Sequence, residues 1–156
     1  MTNQITVGET IKIRQAEMKD VERIVSLCEQ LEYSVTNKQI EQRLAKILNS
    51  DAHIVYVATL VNEDVIGWAH AHICDSIVIS TPAILLGLVV DQDYRYNGIG
   101  RYLMQQIEQW AYLVGCESVL LRSNIKRQEA HSFYEKIGYT NIKQSVTFSK
   151  KLQPQE

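Results

Sequence analysis

The run Ala83-Ile84-Leu85-Leu86-Gly87-Leu88-Val89-Val90 constrains this chain more than any other part of it. A strand without a polar side chain is apolar on both faces, so each face needs a cover. The next stretch has the opposite character. A polar loop, Asp91 to Asn97, leads to a helix from about 98 to 114 with the stripe Ile99, Leu103, Ile107, Trp110 and Val114, and Gly115 is its stop signal. A buried central strand that feeds a helix in this way demands a layered fold of sheet and helices.

The remaining segments fit such a fold. Ile11 to Arg14 reads as a short strand, and Val21, Ile24, Val25, Cys28 and Leu31 then fall at helical spacing. Glu17, Asp20 and Glu22 stand where that helix presents its positive end. Thr36-Asn37-Lys38-Gln39 is a capping box opening a second helix, with Ile40, Leu44, Ile47 and Leu48 on one face. Two strands, about 53–60 and 65–74, flank the turn Asn62-Glu63-Asp64. Ser118 to Arg122 is a strand, Gln128 to Ile137 a short helix ending before Gly138, and Val146 to Ser149 a last strand. The order β-α-α-β-β-β-α-β-α-β predicts one mixed α/β (α+β) domain over residues 1–156, with 1–9 and 152–156 as tails.

A chain of 156 residues, 46% hydrophobic, can build one core of ordinary size. Its net charge of −2 argues against a general nucleic-acid binder, while leaving room for a local basic groove. Cys28, Cys74 and Cys116 are odd in number and far apart, so no disulfide framework or zinc spacing is expected, and no metal. The segment Met1 to Glu9 has no apolar core of a signal peptide, and no apolar run reaches membrane-spanning length. The expectation is a cytoplasmic protein without nucleic-acid or membrane partners.

The helix entrance carries the chemical signal. The first amides of a helix have no internal partner and point outward at its positive end, which makes an anion site. Gly98 and Gly100 let an anion approach the backbone, and Arg95 and Arg101 add positive charge beside it. The spacing Arg-x-x-Gly-x-Gly is neither of the two common phosphate-loop patterns, GxxxxGK[ST] and GxGxxG. By itself it also fits a helix start where the glycines only permit close packing.

Leu88-Val89-Val90-Asp91, followed by Tyr94-Arg95-Tyr96-Asn97-Gly98-Ile99-Gly100, resembles the acetyl-CoA site of the GCN5-related N-acetyltransferase (GNAT) superfamily. Asn124 and the later block Ala130-His131-Ser132-Phe133-Tyr134-Glu135-Lys136-Ile137-Gly138-Tyr139 resemble its second signature, in the same order and spacing, and the likeness runs from about residue 11 to 150. It implies a mixed, mostly antiparallel central sheet flanked by about four helices, with a splayed pair of central strands holding the cofactor. The backbone of Leu88, Val89 and Val90 would pair with the pantetheine arm of acetyl-CoA. The amides of Tyr96, Asn97, Gly98, Ile99, Gly100 and Arg101, beside Arg95, would hold its pyrophosphate. Asn124 would hydrogen-bond the pantetheine, with His131 a further cofactor contact, and Tyr134 would sit near the thioester sulfur.

Acetyl transfer to an amine holds two reactants together, removes a proton from the ammonium and returns one to the leaving thiolate. Tyr134 suits the last task, since a phenol with a pKa of about 10 stays protonated and can donate to a thiolate of conjugate-acid pKa about 8.5. The resemblance fails at the base. Many members carry a Glu on the strand before the glycine loop, where this chain has Ile84, Leu85 and Leu86. Three routes stay open. His70 and His72 share one strand face and titrate near neutrality, although Trp68 and Cys74 on that face also fit plain packing. His131 lies one turn before Tyr134. Or the amine enters neutral, or loses its proton to water.

In the family the first two helices and their connection usually line the acceptor side, which maps to Glu29, Glu32 and Tyr33, where acids could attract a cation or simply be solvated. The chain is similar to the branch with small-amine, aminoalkylphosphonate and aminoglycoside N-acetyltransferases. A small-molecule primary amine is the expected acceptor. A catalytically degenerate acyl-CoA-binding module and a protein or peptide N-acetyltransferase are the alternatives. Family members often pair through their C-terminal strands, so a homodimer is an open expectation.

Overall fold

The computed structural model describes residues 10–154. The expected tail at 1–9 and residues 155 and 156 lie outside that range. The chain divides into two compact units, Met1–Leu121 and Arg122–Glu156.

The first unit is built on a five-stranded sheet in the order β1 (Lys12–Gln15), β2 (His53–Thr59), β3 (Val65–Ile73), β4 (Pro82–Val90) and β5 (Ser118–Leu121). The first four strands are antiparallel neighbours, and β5 joins β4 in parallel. Helices α1 (Val21–Glu29) and α2 (Asn37–Leu48) lie between β1 and β2 in sequence, and α3 (Ile99–Leu113) between β4 and β5. This is the mixed, mostly antiparallel sheet expected from the sequence.

Burial explains why each element forms where it does. Val57, Trp68 and Val89 stand opposite one another across β2, β3 and β4, and they pack with Val21, Ile24, Val25, Leu27 and Cys28 of α1 and Leu44 of α2. The other face carries Gly67, Ala69 and Ala71, and α3 covers it: Leu103 lies against Gly67, and Ala111 packs on Ala83. Small residues on β3 let the α3 backbone approach closely, and Ile99, Leu103, Met104 and Ile107 of α3 are buried almost completely. The result is three layers, helices over both faces of one sheet.

Local signals set the ends. The capping box at α2 is present in full: Gln39 N donates to Thr36 Oγ1 and Thr36 N to Gln39 Oε1, both at 3.1 Å. Asp20, at the start of α1, takes a two-pronged hydrogen bond from Arg14 at 2.8 Å and a third from Glu17 N. Gly115, just past α3, adopts φ +89°, a left-handed conformation that needs glycine. No described helix is long and apolar enough to cross a membrane. Cys28, Cys74 and Cys116 are free thiols.

The second unit holds α4 (Gln128–Lys136), closed by Gly138 at φ +103°. The strand expected at Val146 to Ser149 does not form. Residues 139–154 contain no helix or strand, and Val146 and Phe148 are 77% and 91% exposed. Alternation alone does not make a strand: the backbone groups need a ladder partner, and none is supplied there.

The α1/α2 face has one tight point. A Cβ on Gly87 would come within 2.6 Å of the Trp68 ring. Gly87→Ala is expected to force that ring from its place and lower stability by about 1–3 kcal/mol, read as a shift of the urea midpoint with unchanged m-value.

Candidate active site

β4 is a strand of two halves. From Pro82 to Leu85 it is paired on both edges, with β3 and with Ser118 to Leu121 of β5. There the β5 ladder stops. The β3 ladder also slips at this point: His70 pairs with Gly87 and Ala71 with Leu85, so Leu86 is an extra residue, a β-bulge, 52% exposed. Beyond it Leu88, Val89 and Val90 are held by Ala69, Trp68 and Gly67 of β3, with no β5 partner. That free edge can accept an extended arm as an added strand.

The loop after β4 is bolted to α1. Arg23 donates to Asp91 Oδ2 at 2.8 Å and to the Val65 carbonyl at 2.9 Å, and Gln92 N donates to Gln30 Oε1 at 2.9 Å. Asp91 Oδ1 accepts from Asp93 N at 3.0 Å, starting a short 3-10 turn at Gln92–Tyr94. Burial alone would raise the Asp91 pKa. The Asp93 amide, Arg23 and Gln30 outweigh it, so the carboxyl titrates below its usual value. Arg95 Nε donates to the Val90 carbonyl at 3.1 Å, and Asn97 Nδ2 to the carbonyls of Tyr94 and Arg95.

Two left-handed residues then shape the helix entrance: Tyr96 at φ 65° and Gly98, the N-cap of α3, at φ 79°. Tyr96 accepts a conformation that costs a side-chain-bearing residue about 1 kcal/mol or more, and its ring is 91% exposed. Ile99 is buried and anchors the first turn, Gly100 is half-buried, and Arg95, Gly98 and Arg101 are exposed. The amides leading into α3 thus open toward solvent at the positive end of a 15-residue helix, flanked by two arginines.

The α1/α2 face holds the expected pair His70 and His72, together with a histidine that was not anticipated, His53. The His53 ring stacks on both, with centroids 5.2 and 5.3 Å apart, and His53 Nδ1 lies 2.9 Å from His70 Nε2. Closing the hairpin about Asn62-Glu63-Asp64 sets His53 opposite His72, a pairing that the sequence contains once the two strands are aligned. Burial, then the charges of His53 and His72, push His70 down to about 4, so it is neutral at pH 7. Nearby, the Trp68 indole N–H is buried without an acceptor among the described residues. Glu29 is exposed at the end of α1, and Glu32 (φ 64°) and Tyr33 (66% exposed) follow it in the link to α2. Among the described residues no group of three or more His, Cys, Asp or Glu side chains is arranged to hold a metal ion.

In the second unit Asn124 and α4 form a local frame. Asn124 is exposed, and its Oδ1 accepts from Lys126 N at 2.9 Å. His131 Nε2 lies 2.9 Å from the Asn124 carbonyl, to which it donates, tying α4 to that turn. Tyr134 is half-buried, edge-on to Phe133 and Tyr139. Burial raises its pKa, which keeps the phenol protonated.

Comparison with known proteins agrees with this geometry. The model of the acetyltransferase (GNAT) family matches residues 18–139. The chain belongs to that family. An aminoalkylphosphonate N-acetyltransferase of Salmonella typhimurium is 31% identical over 144 residues, 89% of this chain and 91% of that protein. An aminoglycoside N(6')-acetyltransferase of Acinetobacter genomosp. 13 is 32% identical over 71 residues, 46% of this chain and 49% of the relative, so the match spans about half of that protein. In fold, the crystal structure of an aminoglycoside 6'-N-acetyltransferase from Acinetobacter baumannii superposes with a TM-score of 0.82 at 21% identity, covering 92% of this chain and 99% of that one.

The charge network at Asp91 has a pH signature. A carboxyl with a folded pKa below its unfolded value contributes stability that is complete above about pH 4 and is lost as pH falls through the folded value. Asp91→Asn should therefore flatten the decline of stability on the acid side of pH 4 relative to the parent, measured by urea unfolding at stepped pH.

Proposed function

We propose that the protein transfers acetyl from acetyl-CoA to a primary amine of a small molecule, aminoalkyl or aminoglycoside-like, by direct attack in a ternary complex. The observation that carries this reading is the free edge of Leu88 to Val90, joined by the loop from Asp91 to Asn97 to the open amides at the start of α3. The strand edge suits the amide-bearing pantetheine arm and the helix entrance suits a diphosphate. The family match and the similarity to an aminoalkylphosphonate N-acetyltransferase over 91% of its length support the acetyl group and the small amine.

In this reading Leu88, Val89 and Val90 pair with pantetheine, and a β4 amide stabilises the charge on the thioester oxygen. Tyr96 to Arg101, with Arg95, hold the diphosphate. Asn124 and His131 are cofactor contacts of the second unit, and Tyr134 is the acid that protonates the departing thiolate. Glu29, Glu32 and Tyr33 lie on the acceptor side, where acids favour a cationic amine. The free thiols support a reducing compartment such as the cytoplasm.

The test is release of free CoA against a panel of aminoglycosides and aminoalkylphosphonates, with acetyl-CoA binding measured separately by calorimetry. Binding together with turnover on a panel amine is expected. Binding with no turnover on any amine or peptide would sink the enzymatic reading and leave an acyl-CoA-binding module. Gly98→Val, which puts a branched side chain at a left-handed N-cap, should weaken acetyl-CoA binding by about tenfold or more. Tyr134→Phe should leave that affinity unchanged and lower kcat by about 100-fold.

A further inference from the structure

The route of the acceptor's proton can be traced in the first unit. β4 offers no carboxylate between Ala83 and Val90, yet His70 on β3 pairs across the sheet with Gly87, between the bulged Leu86 and the free-edge residue Leu88. Its Nε2 is 2.9 Å from His53 Nδ1, a separation at which one of the two nitrogens must carry a hydrogen and donate it to the other. His53 opens β2 and borders a cavity of about 200 Å³ lined also by Ser50, Asp51 and Gln15. One ring of the pair therefore belongs to the β3 residue opposite Gly87, next to the bulge in the register, and the other borders an opening lined by both polar and apolar side chains.

We infer that His70 and His53 form a two-ring proton relay, which takes the proton of the acceptor's ammonium group beside β4 and delivers it to water at the end of the sheet. This rests on the acetyltransferase reading and names the base that the reading lacks. His70 receives the proton, and His53 is a positioning residue that acts through it.

The step balances in atoms and charge. In the tautomer that starts it, His70 Nε2–H donates to His53 Nδ1 and His70 Nδ1 bears a lone pair. An N–H bond of the ammonium breaks and its proton binds His70 Nδ1. The Nε2 proton of His70 crosses to His53 Nδ1, and His53 Nε2 gives its own proton to water. The amine lone pair then forms the C–N bond to the acetyl carbon and the C–S bond breaks; the thiolate leaves with its electron pair and takes the phenol proton of Tyr134, while the acylated nitrogen gives up its second proton to water, from which the phenol is reprotonated. Both rings end neutral and return to the first tautomer by exchange with water once the acceptor site is empty.

The electrostatics suit a relay rather than a reservoir. Burial and the charges of His53 on β2 and His72 on β3 disfavour the imidazolium at His70, and no carboxylate is among the charges acting on it. Burial, then His72, also lowers the pKa of His53. Both shifts disfavour the doubly protonated imidazolium, so a second proton is passed on and not stored.

The experiment uses the intact protein with a panel amine that it acetylates. His70→Gln should lower kcat by about 100-fold and His53→Gln by about tenfold, each with acetyl-CoA affinity unchanged by calorimetry. Added imidazole should restore part of the His53→Gln loss, and the rate of His70→Gln should rise with pH as more acceptor arrives neutral. Independently of turnover, histidine side-chain NMR of the free protein should show an N–H···N coupling between the two rings that His53→Gln abolishes. If the parent acetylates amines while both variants keep its kcat and pH profile, the relay is overturned and the acetyltransferase reading stands. If the parent turns over no amine although the coupling is present, the acetyltransferase reading fails and takes the catalytic role of the relay with it.

Discussion

β4 is sheltered by neighbours on both edges for its first half and on one edge only for its second. Backbone N–H and C=O groups without partners are costly in a folded interior, so an open half-strand is either solvated or paired by another extended segment. The surrounding structure leaves this edge open. The bulge at Leu86 breaks the β3 register so that the ladder resumes from Gly87, and β5 ends at Leu121. The rest of the first unit positions what lies beyond that edge. Small residues on β3 let α3 come close, and its first amides follow β4 after the loop from Asp91 to Asn97.

Much of this was legible in the sequence, for identifiable physical reasons. The eight apolar residues from Ala83 forced two covered faces, and α1, α2 and α3 provide the covers. Capping at Thr36 and the stop at Gly115 are local rules, carried by side chains a few residues apart, and both appear as expected. What was not legible depends on contacts between distant segments. Leu86 shows no sign of being a bulge until β3 is laid against β4. His53 looks like one polar residue at the head of an apolar strand until the hairpin sets it on His70 and His72. Val146 to Ser149 fails in the other direction. Its alternation suits a strand, but residues 139–154 have no ladder to join.

The missing carboxylate at Ile84, Leu85 and Leu86 changes meaning once the sheet is assembled. A strand residue and its cross-strand partner occupy the same face, so a group lost from one strand can be replaced from the next without altering the fold. Here the titratable groups stand on β2 and β3. Gly87, opposite His70, leaves the space above it to the Trp68 ring, which lies where a larger residue would project. The face is thus aromatic and weakly basic where an acid on β4 would have made it anionic.

Arg23 has a wider consequence. With one guanidinium it grips the Val65 carbonyl at the head of β3 and the Asp91 carboxylate at the head of the loop, while its own backbone belongs to α1. The loop therefore cannot shift without either drawing α1 along or separating two opposite charges at 2.8 Å. A molecule that settles at the mouth of α3 and one that settles against the exposed end of α1 share this bolt. Whatever free energy the first contributes to fixing the loop is felt by the second, and by thermodynamic reciprocity the second returns it in equal measure. Any coupling that this bolt carries between two ligands is shared by both, so a substitution at Arg23 or Asp91 would be felt at each end of it.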